Sequence, residues 1–278
     1  MQLIKYIRLA NIVLKTYQRP LIAIIRLNLH GLPVSLKMKN GEMRQLKSVN
    51  DIVRDYLKMK YNLNLVYDET WTDPYAVFIN NDYKFIPVKG KIVLDVGANI
   101  GDSSLYFLLK GAEKIIAVEP FPHYYNMLMR NIEENGYQNK IIPINAVIGS
   151  EIKYVKMNTD KEMTTGIQVE LSNSGKEIEM INLDYLIDLY GIENGVLKMD
   201  CEGCEYDSIL TSNDETLRHF EYIMLEYHYG YDSLFKKLKE AGYKVKITKP
   251  KSSYNRCAKD PYMKIGYIYA QRIGKNDR

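Results

Sequence analysis

Two acidic residues and a histidine carry the clearest chemical signal in the sequence. Asp200 ends an apolar run at residues 196–200, Glu202 follows it, and His228 follows a second apolar run at residues 222–226. Since alternate residues of an extended chain face the same side, Asp200 and Glu202 should lie together. All three side chains are candidate general bases, and we favour His228 because the usual pKa of imidazole lies near neutral pH. The alternatives are a helix N-terminal charge at Glu202 and an exposed loop histidine at 228.

A glycine-bearing loop follows another apolar run, at residues 92–96. Open α/β sheets bind ligands where the chain reverses at the carboxyl end of a strand, and glycines let the backbone pass close to a ligand. The spacing G-x-x-x-G differs from the dinucleotide pattern G-x-G-x-x-G, which argues against a pyrophosphate. The strand-end acid suits a cationic amino group better. The ligand-binding residues predicted here are Asp95, Gly97, Ala98, Asn99, Gly101, Asp102 and Ser103.

Two later strand ends complete the predicted binding edge. Glu119 lies about 20 residues past the loop, where a carboxylate can accept hydrogen bonds from both hydroxyls of a ribose. It is followed by Pro120, and a solvent-facing strand-end acid is the alternative. Asn145 and Ala146 occupy the place where such folds usually meet an adenine edge, although an ordinary strand-end turn is nearly as good an explanation. Asp200 belongs to this edge as well, so we expect it to contribute to ligand binding.

The order of the elements predicts an α/β fold of the Rossmann-like type, with a doubly wound, mainly parallel sheet. From Lys91 onward, short β-branched runs alternate with helical patterns. Predicted strands are residues 92–96, 115–119, 141–147, 196–200, 222–226, 243–248 and 266–271, and predicted helices are residues 103–110, 122–135 and 183–190. A hairpin is expected around residues 172–175.

The first part of the chain lacks this alternation. It predicts a helical start, a hairpin at the Asn40-Gly41 turn and a helix over residues 50–60, capped by Ser48 or Asn50. We therefore predict a small N-terminal accessory region, residues 1–85, and an α/β domain, residues 86–278.

Four motifs resemble the FkbM family of S-adenosylmethionine (SAM)-dependent methyltransferases. They are residues 95–101 (DVGANIG), residues 119–120 (EP), residues 183–184 (LD) and residues 198–205 (KMDCEGCE). The resemblance covers roughly residues 85–250. It implies a class I methyltransferase domain, SAM as the cofactor, and O-methylation of a small-molecule, lipid or sugar-containing acceptor.

This chain departs from the family in one place. Cys201 and Cys204 stand where small or apolar residues are more typical. A zinc or redox site would need a second cysteine pair or a thioredoxin-like context, and Cys257 alone supplies neither. No metal site is therefore predicted.

The distribution of charge and aromatic residues suggests an alternative acceptor, RNA. The formal net charge is only +4, but residues 1–41 hold seven basic residues and no acidic one, and the chain has 24 tyrosines. Methylation of a base nitrogen usually goes with an N/D-P-P-Y motif after the fourth strand. Residues 200–203 read DCEG instead, and their two acids would repel phosphates. A nucleic acid is therefore not the expected acceptor.

The basic N-terminal segment also permits contact with an anionic membrane surface. Its apolar residues are Ile4, Ile7, Leu9, Ile12 and Val13, and a core-packing helix is the simpler explanation for them. No apolar run reaches the length of about 18–20 residues that a transmembrane helix needs, and no secretory signal is recognisable. Three cysteines suit a reducing compartment. We expect a cytoplasmic protein, with peripheral membrane contact as an alternative, and the sequence indicates no oligomeric state.

Overall fold

The computed structural model describes residues 2–68, 73–157, 176–252 and 264–274, which fall in two compact units. One unit contains the chain up to Tyr83 together with Glu133–Asn135, and the other contains Lys84–Ile132 and the chain from Gly136 onward. That residues 1–85 act as an accessory domain stays a prediction.

The N-terminal unit contains helices and one hairpin. In chain order they are α1 (Gln2–Thr16), α2 (Pro20–His30), β1 (Val34–Lys37), β2 (Met43–Leu46), α3 (Val49–Tyr61), α4 (Asp73–Tyr75) and a π-helix (Ala76–Asn80). Helix α3 begins after Ser48, whose hydroxyl accepts the N–H of Asp51 while the Asp51 carboxylate accepts the N–H of Ser48. This reciprocal cap satisfies two N–H groups at the helix start.

Part of the apolar surface of helix α1 is buried inside the N-terminal unit. Ile12 and Val13 are buried, whereas Ile7 is exposed. Ile12 and Val13 are therefore not available to a lipid surface, because they pack in the core. Membrane contact through the rest of the basic segment stays a prediction. Among the described helices, none combines the length and the apolar composition needed to cross a bilayer.

The second unit alternates strands and helices. Its strands are β3 (Ile92–Val96), β4 (Lys114–Val118), β5 (Ile141–Ile144), β6 (Val147–Ile148), β7 (Lys153–Met157), β8 (Lys176–Ile181), β9 (Gly195–Met199), β10 (Phe220–Tyr227), β11 (Tyr243–Ile247), β12 (Lys251–Ser252) and β13 (Lys264–Arg272). Its helices are α5 (Asp102–Leu109), α6 (Pro122–Glu134), α7 (Leu183–Tyr190), α8 (Cys204–Thr211), α9 (Asp214–Arg218) and α10 (Asp232–Glu240).

The main sheet has the order β11-β13-β10-β9-β3-β4-β5. Its strands from β10 to β5 pair in parallel, and only β13 runs antiparallel to its neighbours β10, β11 and the short β12. Strand β9 is buried along its whole length and β3 along most of it, as expected for parallel strands covered on both faces. The predicted Rossmann-like, doubly wound α/β fold is confirmed.

The direction of winding reverses between β3 and β9. Strand β3 is followed by β4 on one side, while β9 is followed by β10 on the other. The crevice outside the carboxyl ends at such a reversal is where open α/β sheets bind ligands. A ligand-binding site is therefore expected at the loops after β3 and β9.

A second, small sheet with the order β6-β8-β7 was not expected. Strand β7 pairs antiparallel with β8, and its side chains are mostly exposed. The hairpin predicted around residues 172–175 lies outside the described residues.

Candidate active site

Two positions of the loop after β3 need glycine, because neighbouring protein atoms leave no room for a Cβ. Gly97 has φ +72°, and a Cβ added there would lie 1.9 Å from the carbonyl oxygen of Asp200. Gly101 has φ +87°, and its Cβ would lie 2.6 Å from a methyl carbon of Leu128. The sequence explained both glycines by a nearby ligand. The structure gives a second reason, because an added Cβ would meet protein atoms at both positions. Contact of these glycines with the ligand stays a prediction.

Asp95 is paired with a lysine inside the protein. Its Oδ1 lies 3.0 Å from Nζ of Lys198, and its Oδ2 accepts hydrogen bonds of 2.7 Å from the hydroxyls of Ser103 and Ser104. Both charged side chains are almost completely buried, and Lys198 also donates to the carbonyl of Gly97 at 2.9 Å. Burial opposes the charge of Lys198, but Asp95, Asp200 and Asp102 together outweigh it and raise the pKa of that lysine. The cationic partner expected for Asp95 is therefore Lys198, and Asp95 and Ser103 brace the loop.

Glu119 is buried at the same edge of the sheet. Its Oε2 accepts the backbone N–H of Asn99 at 2.9 Å, and its Oε1 accepts that of Phe121 at 2.8 Å. Burial raises the pKa of Glu119 to about 7, although these two N–H donors oppose the shift. The alternative of a solvent-facing acid is wrong. A carboxylate has about four acceptor sites, so Glu119 keeps capacity for further donors.

The remaining predicted binding residues mostly support this edge. Nδ2 of Asn145 donates to the carbonyls of Glu119 and Pro120 at 2.8 and 3.0 Å. Ala146 is buried in the hydrophobic core, and the Oδ1 of Asp102 accepts the N–H of the next residue at 2.9 Å. The structure therefore gives Asn145 a positioning contact and Ala146 a packing role, where the sequence suggested contacts with adenine.

Four carboxyl groups lie around His228 at the carboxyl ends of β9 and β10. Nε2 of His228 lies 3.1 Å from Glu202 and 3.9 Å from Asp200, and Nδ1 lies 3.4 Å from Glu205. Glu226 completes the group through a hydrogen bond with Asp200. The three predicted candidate bases therefore lie together. Glu205 and Glu226 were missed, although Glu205 closes the K-x-D-x-E-G-x-E motif and Glu226 ends a predicted strand.

The environment of His228 changes its chemistry. Burial opposes its charged form, but Glu205, Glu202 and Asp200 outweigh burial and raise the pKa of the imidazole to about 9. The side chain is only 2% exposed, so the alternative of an exposed loop histidine is wrong. The argument for His228 as a base from its ordinary pKa is also wrong, because a ring that is already protonated at neutral pH cannot accept a proton.

The loop after β9 is held by hydrogen bonds between a side chain and its own backbone N–H groups. The Oε1 of Glu205 accepts the N–H of Cys201 at 2.9 Å, and its Oε2 accepts that of Gly203 at 2.8 Å. Glu202 has φ +59°, a left-handed conformation that costs energy for a residue with a side chain and clusters at functional sites. No bond between Cys201 and Cys204 is expected from the sequence, yet the structure joins them in a disulfide that spans Glu202.

A family model described as the methyltransferase FkbM domain matches residues 95–245, more than half of the 278 residues. The chain belongs to the FkbM methyltransferase family. The resemblance seen in the sequence motifs is thereby confirmed, and SAM is the cofactor of this FkbM methyltransferase. No curated protein sequence matches the chain.

Comparison with solved structures finds similarities at low identity and with TM-scores below 0.5. The METTL16 MTase domain is 13% identical, with 87% of each chain covered and a TM-score of 0.49. The precorrin-6y C5,15-methyltransferase from Geobacter metallireducens GS-15 is 15% identical, covering 77% of this chain and 96% of that one with a TM-score of 0.41. M. jannaschii TYW2 in complex with AdoMet is 17% identical, covering 73% and 78% with a TM-score of 0.40.

The donor and acceptor groups at the sheet edge fit this cofactor. SAM presents ribose hydroxyls and an amino group, which need hydrogen-bond acceptors. The Oδ1 atom of Asn99 is buried and has no hydrogen-bond partner among the described residues, and Asn99 adjoins the Glu119 carboxylate. This FkbM methyltransferase therefore offers hydrogen-bond acceptors at the edge where the cofactor is expected.

Proposed function

We propose that this FkbM methyltransferase methylates a hydroxyl oxygen of a small-molecule, lipid or sugar-containing acceptor. The observation that carries the proposal is the group of carboxyl side chains around His228, at the same sheet edge as the loop after β3. SAM supplies a methyl group that is already activated by the sulfonium. A neutral hydroxyl must also lose its proton as its oxygen is methylated, so a proton acceptor at this edge is the feature that such a reaction needs.

Glu202 is the proposed proton acceptor. Its side chain is 25% exposed, whereas that of His228 is 2% exposed and has carboxyl groups at both ring nitrogens. His228 is accordingly a positioning residue that holds Glu202 and Asp200 in place. Bound SAM would supply the methyl group and would be left as a neutral thioether, and Glu202 would take the proton that the acceptor hydroxyl loses when its oxygen is methylated.

The proposed cofactor contacts are made by hydrogen-bond acceptors at this edge that can still accept a donor. Glu119 is assigned to the ribose hydroxyls, and Asn99 is assigned to a donor group of the same ligand through its buried Oδ1. Asn145 positions the Glu119-Pro120 segment, since its Nδ2 donates to the backbone carbonyl of each of these two residues. Gly97 completes this set through its backbone.

The charge of the site bears on the acceptor class. Asp200, Glu202, Glu205 and Glu226 lie within one cluster, and like charges in a partly buried site repel a phosphate-bearing chain. This supports an uncharged hydroxyl acceptor over a nucleic acid.

Two measurements test the proposal. Calorimetric titration with SAM should show binding, and a labelled-methyl screen of cell extract should place the label in the small-molecule, lipid or glycan fraction. Label found only in RNA would overturn the proposed acceptor class.

Substitution of the proposed base gives the sharper test. With the acceptor in hand, Glu202→Gln should lower turnover by about 10²–10⁴-fold, the usual contribution of a general base. SAM affinity should stay unchanged. Glu240→Gln, an exposed acid on α10, is the matched control and should keep full turnover. Full turnover in Glu202→Gln would remove Glu202 from the chemistry.

A further inference from the structure

Three side chains of the acidic cluster converge on one point. Asp200, Glu226 and His228 each offer one ligand atom, and these atoms all lie within 4.8 Å of one another. Cation–ligand bonds of about 2.0–2.6 Å place two ligands of one cation at most about 5 Å apart. The spacing therefore matches a shared cation.

His228 provides an observation beyond the acidic cluster. Its side chain is almost wholly buried, and its Nδ1 makes no hydrogen bond of good geometry within the described ranges while lying 3.4 Å from Glu205. Glu205 is itself held by the backbone N–H groups of Cys201 and Gly203. Histidines that bind metals commonly present one ring nitrogen to the metal and the other to a carboxylate. In His228, Nδ1 faces Glu205, whereas Nε2 lies 3.9 Å from Asp200 and 3.1 Å from Glu202, on the side of the proposed cation.

The balance of charge around His228 also favours a bound cation. Four carboxyl groups face one imidazole, and the hydrogen bond between Asp200 and Glu226 joins two acids that would repel each other if both were charged. The buried Lys198 offsets only part of this charge, because it interacts electrostatically with Asp200 while its direct contacts are with Asp95 and the carbonyl of Gly97. A divalent cation would compensate several of these negative charges at once.

We propose that Asp200, Glu226 and His228 bind a divalent cation of the Mn²⁺ or Mg²⁺ class. Two carboxylates favour a hard cation over the thiolate-seeking metals, and the single imidazole favours Mn²⁺ within that class. Three protein ligands leave positions open for water or a hydroxyl in an octahedral site. A ring nitrogen binds a metal only without its proton, so cation binding would release the proton that Nε2 of His228 shares with Glu202 in the metal-free protein. Glu202 is outside the set of three, so it stays available as the proton acceptor.

The role of the cation in catalysis rests on the proposed function, whereas its binding does not. A hydroxyl bound to a divalent cation loses its proton more readily, and that proton would pass to Glu202. Chelation should then lower turnover without lowering SAM affinity.

Binding is tested with the full chain, freed of metal by a chelator and titrated with Mn²⁺ near neutral pH, with free Mn²⁺ read by electron paramagnetic resonance. We expect one Mn²⁺ per chain with a Kd well below about 1 mM, and displacement by excess Mg²⁺. Glu226→Gln should weaken the affinity at least about tenfold. This variant keeps a hydrogen-bond donor toward Asp200, so it should remain folded, as its thermal unfolding would show.

The exposed-acid variant Glu240→Gln is the control and should bind Mn²⁺ as the unchanged chain does. No loss of free Mn²⁺ up to about 1 mM, or equal affinity in Glu226→Gln, would overturn the cation site. A parallel titration with SAM separates the two proposals. Absent SAM binding with retained Mn²⁺ binding would sink the methyltransferase mechanism alone, and the reverse result would sink the cation site alone.

Discussion

Gly97→Ala is expected to destabilise the protein even when no cofactor is bound. The added Cβ would lie 1.9 Å from the carbonyl oxygen of Asp200, more than 1 Å below the 3.0 Å that such contacts require. That oxygen cannot retreat freely, since the N–H of Asp200 donates to the carbonyl of Val96 at 3.1 Å. Gly136 is a matched control, because its φ is +70° against +72° for Gly97 and its Cβ would meet nothing within 4 Å.

The two substitutions separate backbone strain from steric conflict. Gly136→Ala should cost only the left-handed conformation of a residue with a side chain, about 1–2 kcal/mol. Gly97→Ala should cost that amount plus about 1–3 kcal/mol for overpacking. At about 2–4 °C per kcal/mol for a domain of this size, the midpoints of thermal unfolding should differ by several degrees.

Differential scanning calorimetry without SAM measures this difference directly. Equal losses of stability in the two variants, combined with a loss of SAM affinity only in Gly97→Ala, would refute the reasoning. That outcome would restore the ligand as the reason for the glycine.

Two further predictions concern buried charges. Lys198→Met leaves the charge of Asp95 buried without its partner, so the free energy of unfolding measured by urea titration should fall by about 3–5 kcal/mol. Adding Asp95→Asn to this variant should recover part of the loss. An unchanged midpoint of unfolding would show that the pair does not stabilise the fold. Burial raises the pKa of Glu119 from 4.5 to about 7, so this group's contribution to stability is present below about pH 4.5 and is lost as pH rises through about 7, a difference of up to about 3 kcal/mol. Urea titrations at acidic and at mildly alkaline pH should show a smaller difference for Glu119→Gln than for the unchanged chain, and equal differences would contradict the assignment.

The main sheet was predictable because its strands are nearly continuous apolar runs. The sequence predicts residues 92–96 as a strand, and β3 has those bounds. Strand β7 was missed because its five residues, KYVKM, are mostly exposed and are buried only at alternate positions. Its place depends on pairing with β8, and no short-range pattern reports that pairing.

The candidate site was predictable in its residues and less so in their roles. Asp200, Glu202 and His228 do converge, because strand ends of a parallel sheet meet at one edge. Asp95 was given the wrong partner, since Lys198 comes to the loop after β3 from far along the chain, 101 positions beyond Gly97. The charge state of His228 depends in the same way on acids that only the fold brings to its ring.

The position of β13 in the main sheet has a consequence for synthesis on the ribosome. This strand lies between β10 and β11, yet it follows both in the chain. Until Lys264–Arg272 has left the ribosomal tunnel, β10 and β11 each present an unpaired edge that can recruit strands from other chains. A nascent chain that stalls before this point would therefore depend on chaperones to stay free of aggregation, although nearly all of the residues around His228 would already have been made.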